Sequence, residues 1–318
     1  MAAGLCLAAA VVSLIPVLRA GRIARDLPQQ LRQAFGEAVP SRPSPLVYLD
    51  LFRGISPPDV KVESLVYSKI QDTELSLDFY RAQAASPAPL VVVIHGGSWQ
   101  SGDNKDFIPM DRYLAGRGFA VADLLYRLAP RWKFPAAPDD VRAAIAFLRK
   151  RADSLGIDSN RIVLLGRSAG GQIALTVAYS SRDPGIRGVI SFYAPADLYW
   201  SWDHPGNPLV IDTRGNLSDY LGGAPSEVPS IYEAASPIQL VTSATPPTLL
   251  LHGGRDELVS SYQSTRLARR LAEAGVSHLN IGLPWATHGF DYIFRGPGGQ
   301  ISTYAMEYFL DRVSGRSN

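Results

Sequence analysis

Four short runs in the chain are apolar from end to end, or nearly so: Leu90 to Ile94, Ile162 to Leu165, Val189 to Tyr193 and Thr248 to Leu251. A strand with one wet face alternates apolar and polar residues. An unbroken run must be covered on both faces, and a parallel sheet flanked by helices provides that cover. Helical patterns lie between the runs. After Asp139 and Asp140, acidic residues suited to a helix start, Val141, Ala144, Ile145 and Leu148 recur at helical spacing. Further helices are expected from Ala169, from about Ser260 to Ala274, and from about Gln300. Val62 to Tyr67 and Leu75 to Arg81 read as an early antiparallel pair, and Phe119 to Leu124 and Leu279 to Leu283 as two more strands. The alternation predicts an α/β fold with a mostly parallel central sheet and helices on both faces, whose site lies at the carboxyl ends of the strands. Residues 196 to 245 break the rhythm. Aromatic and rich in Pro and Gly, they read as a small lid-like insertion over that site.

With 318 residues, 46% hydrophobic and 19% charged, the chain can fill one large core. A net charge of +2 without a basic run argues against a nucleic-acid partner. Cys6 is the single cysteine, which rules out a disulfide within the chain, a cysteine-based metal site and a cysteine nucleophile. Ala2 to Leu18 carries no charge and is followed by Arg19, Arg22 and Arg25. Roughly 17 apolar residues stand at the lower limit for a membrane span, and the segment fits a cleaved signal poorly. The expected organisation is an apolar segment over 1–25 acting as anchor or signal, with a packed or frayed helix as the alternative, then a Pro-rich linker over 26–60 with Pro40, Pro43, Pro45, Pro57 and Pro58. A catalytic domain over 61–318 follows.

The strand Ile162 to Leu165 ends in Gly166-Arg167-Ser168-Ala169-Gly170-Gly171, and a helix begins at once. Gly-x-Ser-x-Gly between strand and helix is the nucleophile-elbow pattern. Its glycines allow a turn too tight for side chains, and the helix N-terminus faces any oxyanion forming at Ser168. A serine hydroxyl needs a base, and the base needs an orienting acid. Of five histidines, His288 follows the last strand in a loop that can return to Ser168. His278 stands at the wrong end of that strand, His204 lies in the insertion, and His252 reads as a hydrogen-bonded structural residue. Asp256, just past Thr248 to Leu251, is the expected acid, with Glu257 as the neighbouring rival and Asp197 a remoter one. The order Ser168, Asp256, His288 is the one this fold requires. His95-Gly96-Gly97-Ser98-Trp99 follows another strand and can present backbone N–H groups alongside that of Ala169.

These motifs resemble those of the hormone-sensitive-lipase-like carboxylesterases within the α/β-hydrolase superfamily. That family shows His-Gly-Gly-Gly ahead of Gly-Asp-Ser-Ala-Gly-Gly; here stand His95-Gly96-Gly97-Ser98 and Gly166-Arg167-Ser168-Ala169-Gly170-Gly171. Tyr126-Arg127-Leu128-Ala129-Pro130 with Phe134-Pro135-Ala136-Ala137 is similar as well. The resemblance spans roughly residues 60 to 315. It implies an α/β-hydrolase fold, a Ser168–His288–Asp256 triad, an oxyanion hole from Gly97, Ser98 and Ala169, and a structural His95. It further implies a small-molecule ester as substrate, with no cofactor and no metal. Ser98 in place of the third glycine keeps its N–H, whereas Arg167 in place of the acid departs from the pattern. Neighbouring branches, such as those resembling acetyl or feruloyl esterases, prenylcysteine methylesterases or kynurenine formamidases, fit the motifs too. An amidase or peptidase would use the same triad, and an inactive hydrolase-fold binding protein would usually lack one of its members.

Overall fold

The computed structural model describes residues 2–38, 42–54, 56–84 and 87–315, with side chains from residue 15 onward. Its sheet is built from the runs picked out above: β1 (Val62–Ile70), β2 (Thr73–Tyr80), β3 (Ala88–Ile94), β4 (Ala120–Leu124), β5 (Ile157–Arg167), β6 (Ile186–Phe192), β7 (Thr248–Gly253) and β8 (His278–Leu283). Among the described residues they form one eight-stranded sheet in the order β1-β2-β4-β3-β5-β6-β7-β8. β1 pairs antiparallel with β2 and β2 with β4, while every pair from β4 onward is parallel. β3, β4, β6 and β7 are buried along nearly their whole length, as is β5 from Ile162 onward, as their composition demands.

The helices are α1 (Ala2–Phe35), α2 (Asp50–Arg53), α3 (Ile108–Gly116), α4 (Ala136–Lys150), α5 (Ala152–Leu155), α6 (Ala169–Ser180), α7 (Leu198–Asp203), α8 (Thr213–Leu221), α9 (Pro229–Ala235), α10 (Tyr262–Glu273) and α11 (Pro297–Val313). On one face of the sheet α4 lays down Val141, Ala144, Ile145 and Leu148, and α6 is buried all round from Ala169 to Tyr179. Alternate strand residues such as Val91, Val93, Val163 and Leu165 face the other side, where α3, α11 and part of α1 form a second core. Helix α11 is buried on every side because it lies sandwiched between sheet and α1. α7, α8 and α9 fill the insertion over 196–245.

The N-terminal expectation needs correcting. Residues 26–35, assigned to a linker, continue α1, and the domain does not begin at residue 61. Ala20, Ala24, Leu27, Leu31 and Phe35 form a buried stripe at helical spacing. The ring of Phe35 meets Phe309 of α11 edge-on at 4.9 Å. Arg312 Nε donates to the Phe35 carbonyl (2.7 Å), and the Tyr308 hydroxyl to that of Gly36 (2.6 Å). Burying two leucines and a phenylalanine contributes about 1.5–3 kcal/mol each, which is why this stretch is structure rather than tether. The side chains ahead of Ile15, on which the anchor expectation mostly falls, lie outside the described residues. Among the described residues no helix is long and apolar enough to cross a membrane. Helix α3 was not foreseen from the sequence.

Candidate active site

Ser168 sits between the end of β5 and the first turn of α6 with φ 53° and ψ −121°. For a residue with a side chain this is strained backbone, and the surroundings enforce it. A β-carbon on Gly170 would lie 2.2 Å from the carbonyl oxygens of both Ile94 and His95. The turn is therefore pressed against the end of β3, which only glycine permits. Ser168 N–H is fixed by the Phe192 carbonyl at the end of β6 (2.9 Å).

The loop after β3 crosses directly over this turn: a β-carbon on Gly96 would stand 3.3 Å from that of Ser168. Gly97, Ser98 and Trp99 all have positive φ (110°, 52° and 63°), and Gly97 has no room for a β-carbon, which would fall 2.0 Å from the Ser101 carbonyl oxygen. The strained pair Ser98–Trp99 is held by the Trp99 indole. It donates to Gln172 Oε1 of α6 (2.9 Å) and stacks on Tyr220 of α8 at 4.6 Å. Among the described residues, the backbone N–H groups of Gly97, Ser98 and Ala169 donate to no protein acceptor. His95 is buried and stacks on Tyr126 at 4.2 Å. Its Nδ1–H donates to the Gly96 carbonyl (2.7 Å), and burial lowers its pKa. A neutral, loop-shaping histidine follows.

Asp256 and His288, from the loops after β7 and β8, meet: His288 Nδ1 and Asp256 Oδ2 are 2.6 Å apart. The other carboxylate oxygen accepts from the N–H groups of Leu258 and Val259, each at 2.9 Å. Burial opposes charge on Asp256. Hydrogen bonds from His252 and His288 outweigh it and hold the carboxyl well below the usual carboxylate range. His252 is buried, with Nδ1 on Ser264 Oγ (2.7 Å) and Nε2 near both the Val259 carbonyl (2.9 Å) and Asp256 Oδ2 (3.4 Å). The rivals are engaged elsewhere: Glu257 accepts from Asn207 (3.0 Å), while Asp197 caps α7 and pairs with Arg266 (2.6 Å). The imidazole of His288 packs at 4.4 Å on the ring of Tyr193, the residue after Phe192, whose carbonyl holds the Ser168 N–H.

Arg167, the departure at the elbow, points to the opposite face of the sheet. Its side chain is fully buried, with Nε 2.6 Å from Asp291 Oδ2, and its guanidinium lies 3.5 Å from the centre of the Phe107 ring. Asp291 Oδ1 accepts from the Tyr193 hydroxyl (2.6 Å). The chain Arg167–Asp291–Tyr193–His288 thus runs beneath the site. Sequence reading did not reach it, because its members are joined only by the fold.

A narrow cleft leads to Ser168, walled by Ser98, Trp99, Trp200, His204, Leu217 and Val259. His204 stacks flat on Trp200 at 4.4 Å, a substrate-side position. Tyr220 is buried behind Trp99, and Tyr199 and Trp202 pack against Tyr232 within the insertion.

The sheet order, the elbow and the loops at its strand ends define an α/β-hydrolase of the hormone-sensitive-lipase-like kind. Residues 77–271 match the BD-FAE family model, and the chain belongs to that family. It is 30% identical over 255 residues to esterase LipC of Mycobacterium tuberculosis, covering 74% of this chain and 62% of that protein. Esterase LipQ of the same organism is also 30% identical, over 252 residues, with coverage of 76% and 60%. The chain thus spans about three-fifths of the length of these relatives. An esterase structure from Rhizomucor miehei superposes with a TM-score of 0.71 at 25% identity, covering 85% of this chain and 89% of that one.

Proposed function

We propose that the protein is a serine carboxylesterase acting on short-chain esters. The observation that carries this reading is the 2.6 Å contact between His288 Nδ1 and Asp256, together with a strained, half-buried elbow serine that opens on a cleft. Neutral His288, its Nδ1–H directed at Asp256, takes the Ser168 proton at Nε2 as Oγ attacks the ester carbonyl. Asp256 stabilises the imidazolium that forms. The N–H groups of Gly97, Ser98 and Ala169 receive the oxyanion, which the ground-state carbonyl satisfies less well. His288 then protonates the leaving alcohol, and water repeats the sequence on the acyl-enzyme. The names of the relatives, esterases in M. tuberculosis and R. miehei, support the same class.

Short acyl groups, roughly two to eight carbons, suit a narrow cleft walled in part by Trp99 and Trp200 beneath an insertion of only about 50 residues. Replacing Ser168 with Ala is expected to lower kcat by on the order of 10⁴- to 10⁶-fold with unchanged urea unfolding. Hydrolysis of p-nitrophenyl esters from acetyl to palmitoyl, with an aromatic amide alongside, tests both parts. A variant keeping a tenth of the rate would refute the nucleophile. Faster turnover of palmitoyl than butyryl esters, both in solution, would refute the chain-length preference, and a dominant amidase rate would refute the ester assignment.

A further inference from the structure

Helix α1 meets the domain at a particular end. Its last residues touch the C-terminal part of α11, through Phe35 on Phe309 and Arg312. Near its earlier part, a β-carbon on Gly21 would stand 2.9 Å from the Tyr48 hydroxyl. The segment carrying Tyr48 is bound to the start of α11, because Gln300 accepts from Val47 N–H (2.8 Å) and donates to the carbonyls of Val47 and Arg295. The two helices run side by side in the same direction. The start of α11 packs at the carboxyl end of β8, where a β-carbon on Gly298 would touch Phe290 and Leu283. So α1 enters the domain from the same edge of the sheet that holds Ser168 and His288.

That edge is apolar where it should be wet. Leu18 is 67% exposed, Phe52 82% and Ile293 65%, with Tyr48, Leu49 and Tyr292 also exposed between them. Ahead of Leu18 the sequence stays uncharged back to Ala2. Around these side chains stand the exposed cations Arg19, Arg22, Arg25, Arg53 and Arg295. The nearby carboxylates are fewer: Asp26 is exposed, Asp103 and Asp106 stand near Tyr292 with the exposed Lys105 between them, and Asp50 is already paired with Arg42 at 2.7 Å. Apolar side chains ringed by arginine are the composition of an interfacial surface. A second copy seated here two-fold would set this arginine cluster against itself, whereas anionic headgroups complement it.

We infer that this edge is a docking surface for an anionic lipid bilayer, which turns the mouth of the site toward the membrane. Leu18, Phe52 and Ile293 enter the interface, and the arginines pair with headgroup phosphates. The inference is independent of the reaction catalysed.

Co-sedimentation of the full chain with phosphatidylcholine vesicles, with and without a third of phosphatidylglycerol, tests it. Phe52→Ser/Ile293→Ser and Arg53→Ala/Arg295→Ala serve as variants. All four positions are exposed, so hydrolysis of a soluble short ester should be unchanged and reports on the fold and the reaction separately. Expected is binding that needs phosphatidylglycerol, weakens with salt, and falls at least about tenfold in each double variant. Equal binding to neutral vesicles, or binding unaltered in both variants, would overturn the inference. So would concentration-dependent dimerisation without vesicle binding.

Discussion

At the scale of single residues, polar groups at the ends of apolar strands were legible, because burial leaves them no structural reason to be there. Ser168, Asp256 and His288 stand at such ends, and the contact between His288 and Asp256 follows from the neighbouring ends of β7 and β8, with β6 between them and the end of β5. Asp256→Asn is expected to lower kcat by on the order of 10⁴-fold, since the amide can hold the wrong His288 tautomer. Glu257→Gln should stay near wild type, as that carboxylate faces Asn207. The reverse outcome in a steady-state comparison would reassign the acid. The partner of Arg167 was not legible, for Asp291 lies 124 residues away in sequence. Removing one member of so buried a pair leaves the other charge unpaired, at a penalty of about 3–5 kcal/mol. Arg167→Met should therefore destabilise strongly, and Arg167→Met/Asp291→Asn should recover much of the loss. Urea denaturation of the two variants measures this, and additive losses would contradict it.

At the scale of elements, the strands were legible from their composition, and α4 and α10 from their spacing. α1 was misread for a physical reason. Its arginines and its internal Pro16 and Pro28 resemble the edge of a tether, and a helical stripe of five apolar residues does not say what it will pack on. The Pro-rich segment does follow, but only after Phe35. Deleting residues 1–35 strips the cover from Phe309 and Leu310 of α11, whereas deleting 1–14 stops short of Ala20, the first residue of the buried stripe. The longer deletion is expected to lower the thermal midpoint sharply and to aggregate, while the shorter keeps the wild-type midpoint. Single replacement Leu31→Ala should cost about 2–5 kcal/mol. Differential scanning calorimetry of the three proteins decides, and a fully stable 1–35 deletion would restore the tether reading.

At the scale of the whole molecule, the strand order could not be read from the chain, and it assembles a buried charge cluster that no local pattern announces. Arg167 from β5 and Asp291 after β8 adjoin Asp111 of α3 and Asp123 of β4, both buried. Burial raises the pKa of Asp111 to about 7, with Arg167 opposing, and raises Asp123 as well, where Asp111 adds repulsion. Asp111 and Asp123 repel each other when both are charged, so the fold accommodates the pair with a proton held on it. A carboxyl with a raised folded pKa holds a proton that the unfolded chain releases near pH 4. The stability it contributes is complete below about pH 4 and is lost as pH rises through about 7. Wild type should therefore lose a few kcal/mol of unfolding free energy between pH 5 and 8. Asp111→Asn, neutral at every pH and nearly the same shape, should lose distinctly less. Urea midpoints across that range measure the slope, and parallel slopes for the two proteins would show that Asp111 is ionised in the fold at pH 5.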